Sequence, residues 1–313
     1  MNCTALLPLR AGHLTITALV DLYMTHYEGR DPTRQQRLSW WIGQIGGTRL
    51  DEVTDDHIHA ALEALATNSA RYWAGKDADG KPIYKAKRKP MAPATINRYS
   101  ASIAAVFTWS IKRRIAPKGW DHPCRRVERR TEKNEQTRFL SDDERTRLLE
   151  ACKASAWPRL YVLVLLGLTT GARKGELLGL RWSDIDLVQR VAHVGRSKNG
   201  DPKVLPLVPA VVEQLEELRG TDAALVFAST RRPDQAYAFE PRWADALRVA
   251  KIKKFRFHDL RHSCASFLAQ SGATLLEIGD LLGHRQISMT KRYSHLASTH
   301  RAALVNRVLG DLR

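Results

Sequence analysis

The second half of the chain carries four short segments whose side chains could act together on a phosphate ester. They are Thr170–Glu176 (TGARKGE), His258–His262 (HDLRH), Leu282–His284 (LGH) and Tyr293, which follows His284 by nine residues. Arginines can bind an anion, histidines can transfer a proton, and a phenol can attack phosphorus. Neither an HExxH sequence nor a carboxylate cluster accompanies them, and these residue types together indicate phosphoryl transfer.

Arg173 and Arg261 are the candidates for binding the phosphate. A guanidinium is planar and always charged, so it can hold two phosphoryl oxygens bidentately while negative charge builds on them. Donors aimed at such developing charge usually make the largest contribution to catalysis. His284 could donate to the same oxygens; alternatively it is only the residue after a helix-ending Gly283. Glu176 either buttresses Arg173 or merely sits favourably in a first helical turn.

Tyr293 is the candidate nucleophile. A free phenol has a pKa near 10, so it needs help to lose its proton, and nearby cations would favour the phenolate. His258 is the best-placed base, because it lies three residues before Arg261 and would share a helix face with it. His262 is expected to be a structural or supporting histidine. The alternative, a zinc site built from His258 and His262, lacks a third ligand.

Together these segments resemble the tyrosine recombinases, which include phage integrases and Xer-type resolvases. The signature of that family is an arginine in a TGxRxxE segment, a hairpin lysine, an HxxR motif, an LGH histidine and a tyrosine about nine positions later. All five parts occur here in that order. The resemblance implies that the tyrosine becomes linked to a DNA 3′ phosphate while a 5′ hydroxyl leaves, without ATP, metal or cofactor. It also implies a set of catalytic residues: Arg173, Lys198, His258, Arg261, His284 and Tyr293.

The lysine of this signature lies in a polar turn, residues 195–202 (GRSKNGDP), between two short strand patterns. By resemblance, Lys198 would protonate the leaving oxygen, and a mobile hairpin would let it approach only when DNA is bound. Lys203 across the same hairpin and Lys174 beside the first arginine are the alternatives.

The first half of the chain reads as helical and basic. Apolar residues recur at helical spacing in residues 15–26, after the N-cap residue Thr54, and in residues 95–114. A basic stretch, residues 71–90, lies between the last two and contains an Asp-Gly turn signal at residues 79–80. We interpret this stretch as a hairpin or excursion that reaches for phosphates; a solvated loop is the alternative.

These patterns predict a mainly α protein with a small antiparallel β-sheet. Residues 1–116 form a helical core DNA-binding domain with the basic insertion at about 71–90, and residues 117–137 form a linker rich in proline, glycine and charge. Residues 138–313 form a mixed α/β catalytic domain with a C-terminal helix. By resemblance, the final helical stretch, residues 299–312, packs onto a neighbouring protomer; the alternative is that it covers its own core.

The bulk composition indicates a polyanionic partner. The 313 residues include 50 Lys plus Arg against 33 Asp plus Glu, a formal net charge of +17. Both halves share the excess, as expected if both contact one DNA duplex. Scattered cysteines without a CxxC pair fit a reducing cytoplasm. No apolar run approaches the ~20 residues that span a bilayer, and no signal peptide is recognised.

The sequence therefore predicts a site-specific recombinase that assembles as a homo-tetramer on double-stranded DNA, with no membrane partner and no small-molecule cofactor. The short N-terminal stretch predicts that an arm-binding domain is absent or vestigial, as in an Xer-type resolvase. The basic insertion instead favours an integrase of a prophage or mobile element. A non-catalytic DNA-binding regulator would share the charge without needing the catalytic residues together. A type IB topoisomerase would use similar chemistry on one duplex.

Overall fold

The chain folds into two compact units, Met1–Asn134 and Glu135–Arg313. The structure, a computed structural model, describes residues 13–67, 69–76, 79, 82–132, 138–195, 202–221, 224–297, 305–306 and 308–309. Each unit has its own apolar core.

Helices form the frame of the first unit: α1 (Ile16–Thr25), α2 (Arg34–Ile45), α3 (Asp55–Thr67) and, further along, α4 (Pro93–Lys112). Each buries the apolar face that its helical periodicity predicts. Trp41 and Phe107 are fully buried in this core. The Trp41 indole N–H donates to the carbonyl of Tyr99 at 2.9 Å, so this large side chain is also fixed in orientation.

Between α3 and α4 the chain forms an antiparallel hairpin of β1 (Ser69–Lys76) and β2 (Pro82–Pro90). Tyr72 lies opposite Lys85, and Lys76 lies opposite Pro82. Of the two interpretations of the basic insertion, the structure favours the hairpin over the solvated loop. Lys85 and Lys89 are exposed on β2.

Most of the stretch that the sequence predicts to be a linker packs against the first unit. The ring of His122 is buried and contacts the carbonyl of Ala104 at 3.0 Å, and the Asn97 amide donates to the carbonyl of Arg130 at 2.8 Å. Three apolar side chains of this stretch also contact the first core: Trp120, Cys124 and Val127. Their isolated positions give no periodic pattern, which is why the segment resembles a linker in sequence. Residues 133–137 lie outside the described residues.

The second unit is built around helices: α5 (Asp142–Lys153), α6 (Arg159–Thr170), α7 (Lys174–Leu178), α8 (Pro209–Glu217), α9 (Glu240–Val249), α10 (Asp259–Gln270) and α11 (Leu275–Leu282). The predicted capping box of Ser141 and Glu144 starts α5. Helix α6 is apolar around almost its whole circumference, and it packs against α5, α8 and α10 at the centre of the unit. Gly167 lies at the crossing with α10, where an added Cβ would lie 3.0 Å from Leu260 Cδ1.

A three-stranded antiparallel sheet of β3 (Ile185–Asp186), β4 (Val191–Val194) and β5 (Lys203–Pro206) covers one side of the core. Strands β4 and β5 match the two strand patterns in the sequence, whereas β3 has only two residues and carries no pattern of its own. In β5, Leu205 is buried and Val204 is exposed. Because side chains alternate along a strand, Lys203 lies on the same face as Leu205. The predicted mainly α fold with a small antiparallel sheet is confirmed.

Two left-handed glycines direct the chain into the site. Gly171 (φ 59°) ends α6, and Gly283 (φ 66°) ends α11. Each lies one or two residues before a predicted site residue, Arg173 and His284 respectively. Only glycine adopts this conformation without the steric cost of a Cβ.

Candidate active site

Arg173 is held by Glu176 at the start of α7. The Arg173 Nη1 donates to Glu176 Oε1 at 2.7 Å, and the Arg173 backbone N–H donates to Glu176 Oε2 at 2.9 Å. Burial raises the pKa of Glu176, but the two hydrogen bonds from Arg173 outweigh it, and the net pKa is lowered. Glu176 is therefore an ionised carboxylate that fixes one edge of the Arg173 guanidinium. Of the two interpretations of Glu176, the structure favours support of Arg173 over a mere place in the first helical turn.

Arg261 lies one turn into α10 and is buried, with 4% of the residue exposed. Its Nη1 donates to the carbonyl of Gly171 at 2.8 Å. Burial, and then the charge of Arg173, lower its pKa to about 10, so it remains charged at neutral pH. The two arginines are thus close enough for each to act on the charge of the other.

His284 follows Gly283 and contacts the buried Thr290 hydroxyl through Nδ1 at 2.8 Å. Burial, followed by the charges of Arg261 and Arg173, lowers the pKa of His284 to about 4. The imidazole is therefore neutral at pH 7. It lines a cavity of about 570 Å³ together with Arg173, and the charges of Arg173 and Arg261 both act on its ring.

Tyr293 lies in a short helical turn, Lys291–Ala297, and is buried, with 2% of the residue exposed. Its ring packs in a small apolar cluster with Ala265, Ile278 and Leu282. Burial raises the pKa of the phenol, although the charges of Arg292 and Arg261 oppose the increase. The phenol is consequently protonated at neutral pH.

The hydroxyl of Tyr293 contacts His262, not His258. The Tyr293 Oη lies 2.6 Å from His262 Nδ1. Burial, and then His258, lower the pKa of His262 to about 4, so the ring is neutral and can accept the phenol proton. His258 is exposed at the residue before α10, and its ring lies edge-on to His262 with the centroids 5.2 Å apart.

Lys203 enters the site from β5. Its Nζ is buried and has no hydrogen-bond partner among the described residues. Burial lowers the pKa of Lys203 to about 8; Glu176 opposes this effect, and Arg261 and Arg173 add to it. Lys203 lines the same cavity as Arg173 and His284.

The structure therefore brings Arg173, Arg261 and His284 together, with Tyr293 close enough to act on the charge of Arg261. Burial, followed by the charge of Arg261, lowers the pKa of His258, so this residue also lies near the arginines. Its ring contacts that of His262, which meets the phenol. Lys198 lies outside the described residues and stays a prediction.

Two residues, His262 and Lys203, lie closer to the site than their sequence motifs indicate. His262 lies one helical turn after His258, a spacing that places it on the same face. Side chains along a strand alternate between its two faces, and Leu205 lies on the inward face of β5. This alternation predicts that Lys203, two residues earlier, also lies on the inward face.

The described ranges contain no group of three or more His, Cys, Asp or Glu side chains that could hold a metal ion. Among the described helices, none is both long and apolar enough to cross a membrane.

The chain also matches known proteins. The model of the phage integrase family matches residues 138–300. The integrase of Salmonella phage P22 is 29% identical over 289 residues, covering 85% of this chain and 72% of that protein. The shufflon-specific DNA recombinase of Escherichia coli is 32% identical over 213 residues, covering 66% of this chain and 52% of that protein. This chain therefore spans about half the length of the shufflon recombinase.

A solved structure matches along almost the whole chain. The integrase of transposon Tn1549, solved in complex with a circular intermediate DNA, gives a TM-score of 0.70 at 17% identity. The match covers 94% of this chain and 100% of that one, and it shows that the fold is shared. Because the family model covers about half of the chain and includes every segment of the signature, the chain belongs to the phage integrase family, the tyrosine recombinases, which are DNA strand-transfer enzymes.

Proposed function

We propose that this chain is a site-specific recombinase of a prophage or mobile element that cleaves and rejoins DNA through Tyr293. The observation that carries the proposal is that Arg173 and His284 line one cavity of the second unit while the charge of Arg261 acts on both His284 and Tyr293. A regulator that only binds DNA would need the positive charge but would not need a hydrogen-bonded phenol beside an arginine clamp.

The scissile phosphate binds between Arg173 and Arg261. Glu176 orients the first guanidinium and the Gly171 carbonyl orients the second, so neither has to be ordered at the moment of reaction. His284 adds a neutral donor, because Thr290 occupies its Nδ1 and leaves Nε2 for the phosphate. Charge that develops on the phosphoryl oxygens is stabilised by groups already in place.

In the cleavage step, Tyr293 Oη attacks the phosphorus and a bond between them forms. The bond from phosphorus to the 5′ oxygen of the next nucleotide breaks, leaving a 3′-phosphotyrosine. Lys198, as the signature implies, gives a proton to the departing 5′ oxygen. The phosphotyrosine keeps the energy of the ester bond, so attack by a second 5′ hydroxyl rejoins the DNA by the reverse steps.

The phenol proton passes to His262. In the tautomer with its proton on Nε2, His262 Nδ1 accepts the phenol O–H across 2.6 Å, which is within the range for direct proton transfer. His258, the base favoured by sequence, packs against the edge of His262 and is exposed, so it can pass a proton on to solvent.

Tyr293 must be uncovered for the reaction, since its side chain is almost fully buried in this structure. The segment that carries it is a seven-residue helical turn, Lys291–Ala297. A local shift of this turn brings the hydroxyl to the phosphate while the clamp stays fixed on α7 and α10.

The wider assembly is also part of the proposal. The relatives that are integrases and the Tn1549 complex with DNA support double-stranded DNA as the partner. The exposed Val305, Val308 and Leu309 near the C-terminus offer an apolar surface for a neighbouring protomer in a homo-tetramer. The reaction takes place in the cytoplasm, where the DNA is and where Cys124, Cys152 and Cys264 remain thiols.

The test is covalent capture on DNA. A nicked duplex carrying the recombination site, found by sequencing the DNA that flanks the coding region, is incubated with the protein and run on a denaturing gel. Wild type is expected to leave protein attached to DNA, and Tyr293→Phe to leave none. Tyr161→Phe, in the same unit, is the matched control and should behave as wild type. An adduct with Tyr293→Phe would refute the nucleophile.

Two further outcomes separate the alternatives. If wild type forms no adduct on any flanking site, the regulator interpretation is favoured. If one protomer relaxes supercoiled DNA without a specific site, the topoisomerase interpretation is favoured.

A further inference from the structure

We propose that Lys203 is a third cationic ligand of the scissile phosphate and contacts its non-bridging oxygens beside Arg173 and Arg261. The inference rests on the proposed function and adds to it a phosphate-binding role for a second lysine, separate from the proton-donor role that the family signature implies for Lys198.

The position of Lys203 is set by the sheet. It is the first residue of β5, opposite Val194, and it lies on the face that Leu205 turns into the core. Its stem passes over Gly283, where an added Cβ would lie 3.7 Å from Lys203 Cδ. Lys203 therefore lines the same cavity as Arg173 and His284.

The ammonium of Lys203 is buried and meets no hydrogen-bond partner among the described residues. Its Nζ is shielded from solvent, and no hydrogen-bond acceptor meets it in the described part of the chain. Glu176, the acid whose charge acts on it, already uses one oxygen for the Arg173 guanidinium and the other for the Arg173 backbone. A buried ammonium among other cations is costly unless an anion joins them.

A phosphate in this cavity would supply the missing acceptor. Without DNA, burial and the two arginines hold the pKa of Lys203 at about 8, so the free protein carries it only partly as ammonium above that pH. A bound dianionic transition state favours the ammonium form, because an opposite charge nearby raises the pKa of a lysine. The interaction is thus strongest when charge on the phosphoryl oxygens is greatest.

This role differs from the one that the signature implies for Lys198. A lysine that donates a proton to the leaving 5′ oxygen becomes unnecessary when sulfur replaces that oxygen, since a thiolate leaves unaided. A lysine that holds non-bridging oxygens remains necessary in that case. The two roles can therefore be distinguished by the chemistry of the substrate.

The experiment compares Lys203→Met with wild type on three nicked duplexes. They carry at the scissile position a normal phosphodiester, a 5′-bridging phosphorothiolate or a methylphosphonate. Methionine keeps the apolar stem and removes the charge. Lys174→Met is the matched control, because Lys174 is next to Arg173 in sequence but is exposed and paired with Glu240.

We expect Lys203→Met to slow adduct formation about 100-fold on the phosphodiester, the usual effect of removing one donor from such a site. The loss should persist on the phosphorothiolate and shrink on the methylphosphonate, which lacks one charged oxygen. The free variant should also unfold at a temperature no lower than wild type, because a buried unpaired charge has been removed. A merely structural lysine would instead lower that temperature.

Two results would overturn the inference. One is a wild-type rate of Lys203→Met on the phosphodiester. The other is full recovery of that variant on the phosphorothiolate, which would make Lys203 the proton donor. Absence of an adduct with wild-type protein would instead refute the proposed function, so the two failures are distinguishable.

Discussion

In the proposed mechanism, proton transfer from Tyr293 depends on two histidines that lie four residues apart. His258 precedes α10 and is exposed, whereas His262 is partly buried and contacts the phenol. Because burial and the charge of His258 lower the pKa of His262, it is unprotonated at neutral pH and ready to act as a base. A protonated ring in the same place would hold the phenol without accepting its proton.

We predict that His262→Gln slows adduct formation about 100-fold, a typical contribution of a general base. Glutamine can still hydrogen-bond Tyr293 but cannot take its proton. His258→Gln is the matched control and should cost much less. If His258→Gln slows adduct formation more than His262→Gln does, then His258 is the base. If His262→Gln speeds adduct formation, then His262 restrains the tyrosine.

The same histidine also makes stability depend on pH. Its pKa is about 4 in the folded protein and about 6.5 when unfolded. Between these values the unfolded state binds more protons, so the free energy of unfolding falls as the pH is lowered through this window. In His262→Gln, the free energy of unfolding, measured by urea unfolding at several pH values, should fall less steeply as the pH is lowered. An unchanged dependence of this free energy on pH would contradict the lowered pKa of His262.

At the scale of elements, the junction between α6 and α7 sets the position of both arginines. Gly171 ends α6 in a left-handed conformation, its carbonyl accepts from Arg261, and Arg173 follows two residues later. A Cβ at Gly171 would lie 2.3 Å from Leu282 Cδ2 on α11, so the turn also fixes the approach of the helix that ends at His284.

We predict that Gly171→Ala lowers the free energy of unfolding by about 2–4 kcal/mol, combining left-handed strain with a forced shift of α11. Cleavage should fall even at temperatures where the variant is folded, because Arg261 loses its anchor. Gly175→Ala is the matched control: an added Cβ there meets nothing within 4 Å, and alanine suits the helix better. Equal stability of the two variants in thermal unfolding would refute this argument.

At the scale of the whole molecule, the excess charge is shared by both units, while the site of chemistry lies in the second one. A basic hairpin in the first unit can therefore raise affinity for DNA without taking part in cleavage. Substitution of the exposed lysines of β2 can test whether this hairpin contributes to DNA affinity but not to cleavage.

We predict that replacing Lys85 and Lys89 together by alanine weakens DNA binding and reduces the salt dependence of the binding constant. The slope of log K against log salt should fall by about 2, one for each lost phosphate contact. The rate of adduct formation at saturating DNA should not change. Lys153→Ala, a lysine paired with Glu150 in the second unit, is the control. An unchanged slope would show that the hairpin does not contact phosphates.

The family, the fold class and the sites of the arginines, His284 and Tyr293 could be read from the sequence, because those residues sit in short motifs with fixed spacing. The helices could also be predicted, because a 3.6-residue period and capping residues are local properties of the sequence. The packing of the stretch from Pro117 to Glu132 could not be predicted, because the side chains that contact the first core are isolated and form no periodic pattern.

What the sequence alone determined is the set of reactive groups and their order along the chain. Only the tertiary structure decided which groups touch. His262 rather than His258 meets the phenol, and Lys203 ends in a cavity where no described residue accepts its hydrogen bonds. The physical reason is that burial and charge at a side chain come from elements distant in sequence. For Lys203 those elements are α7 and α10, and no local pattern around the lysine encodes them.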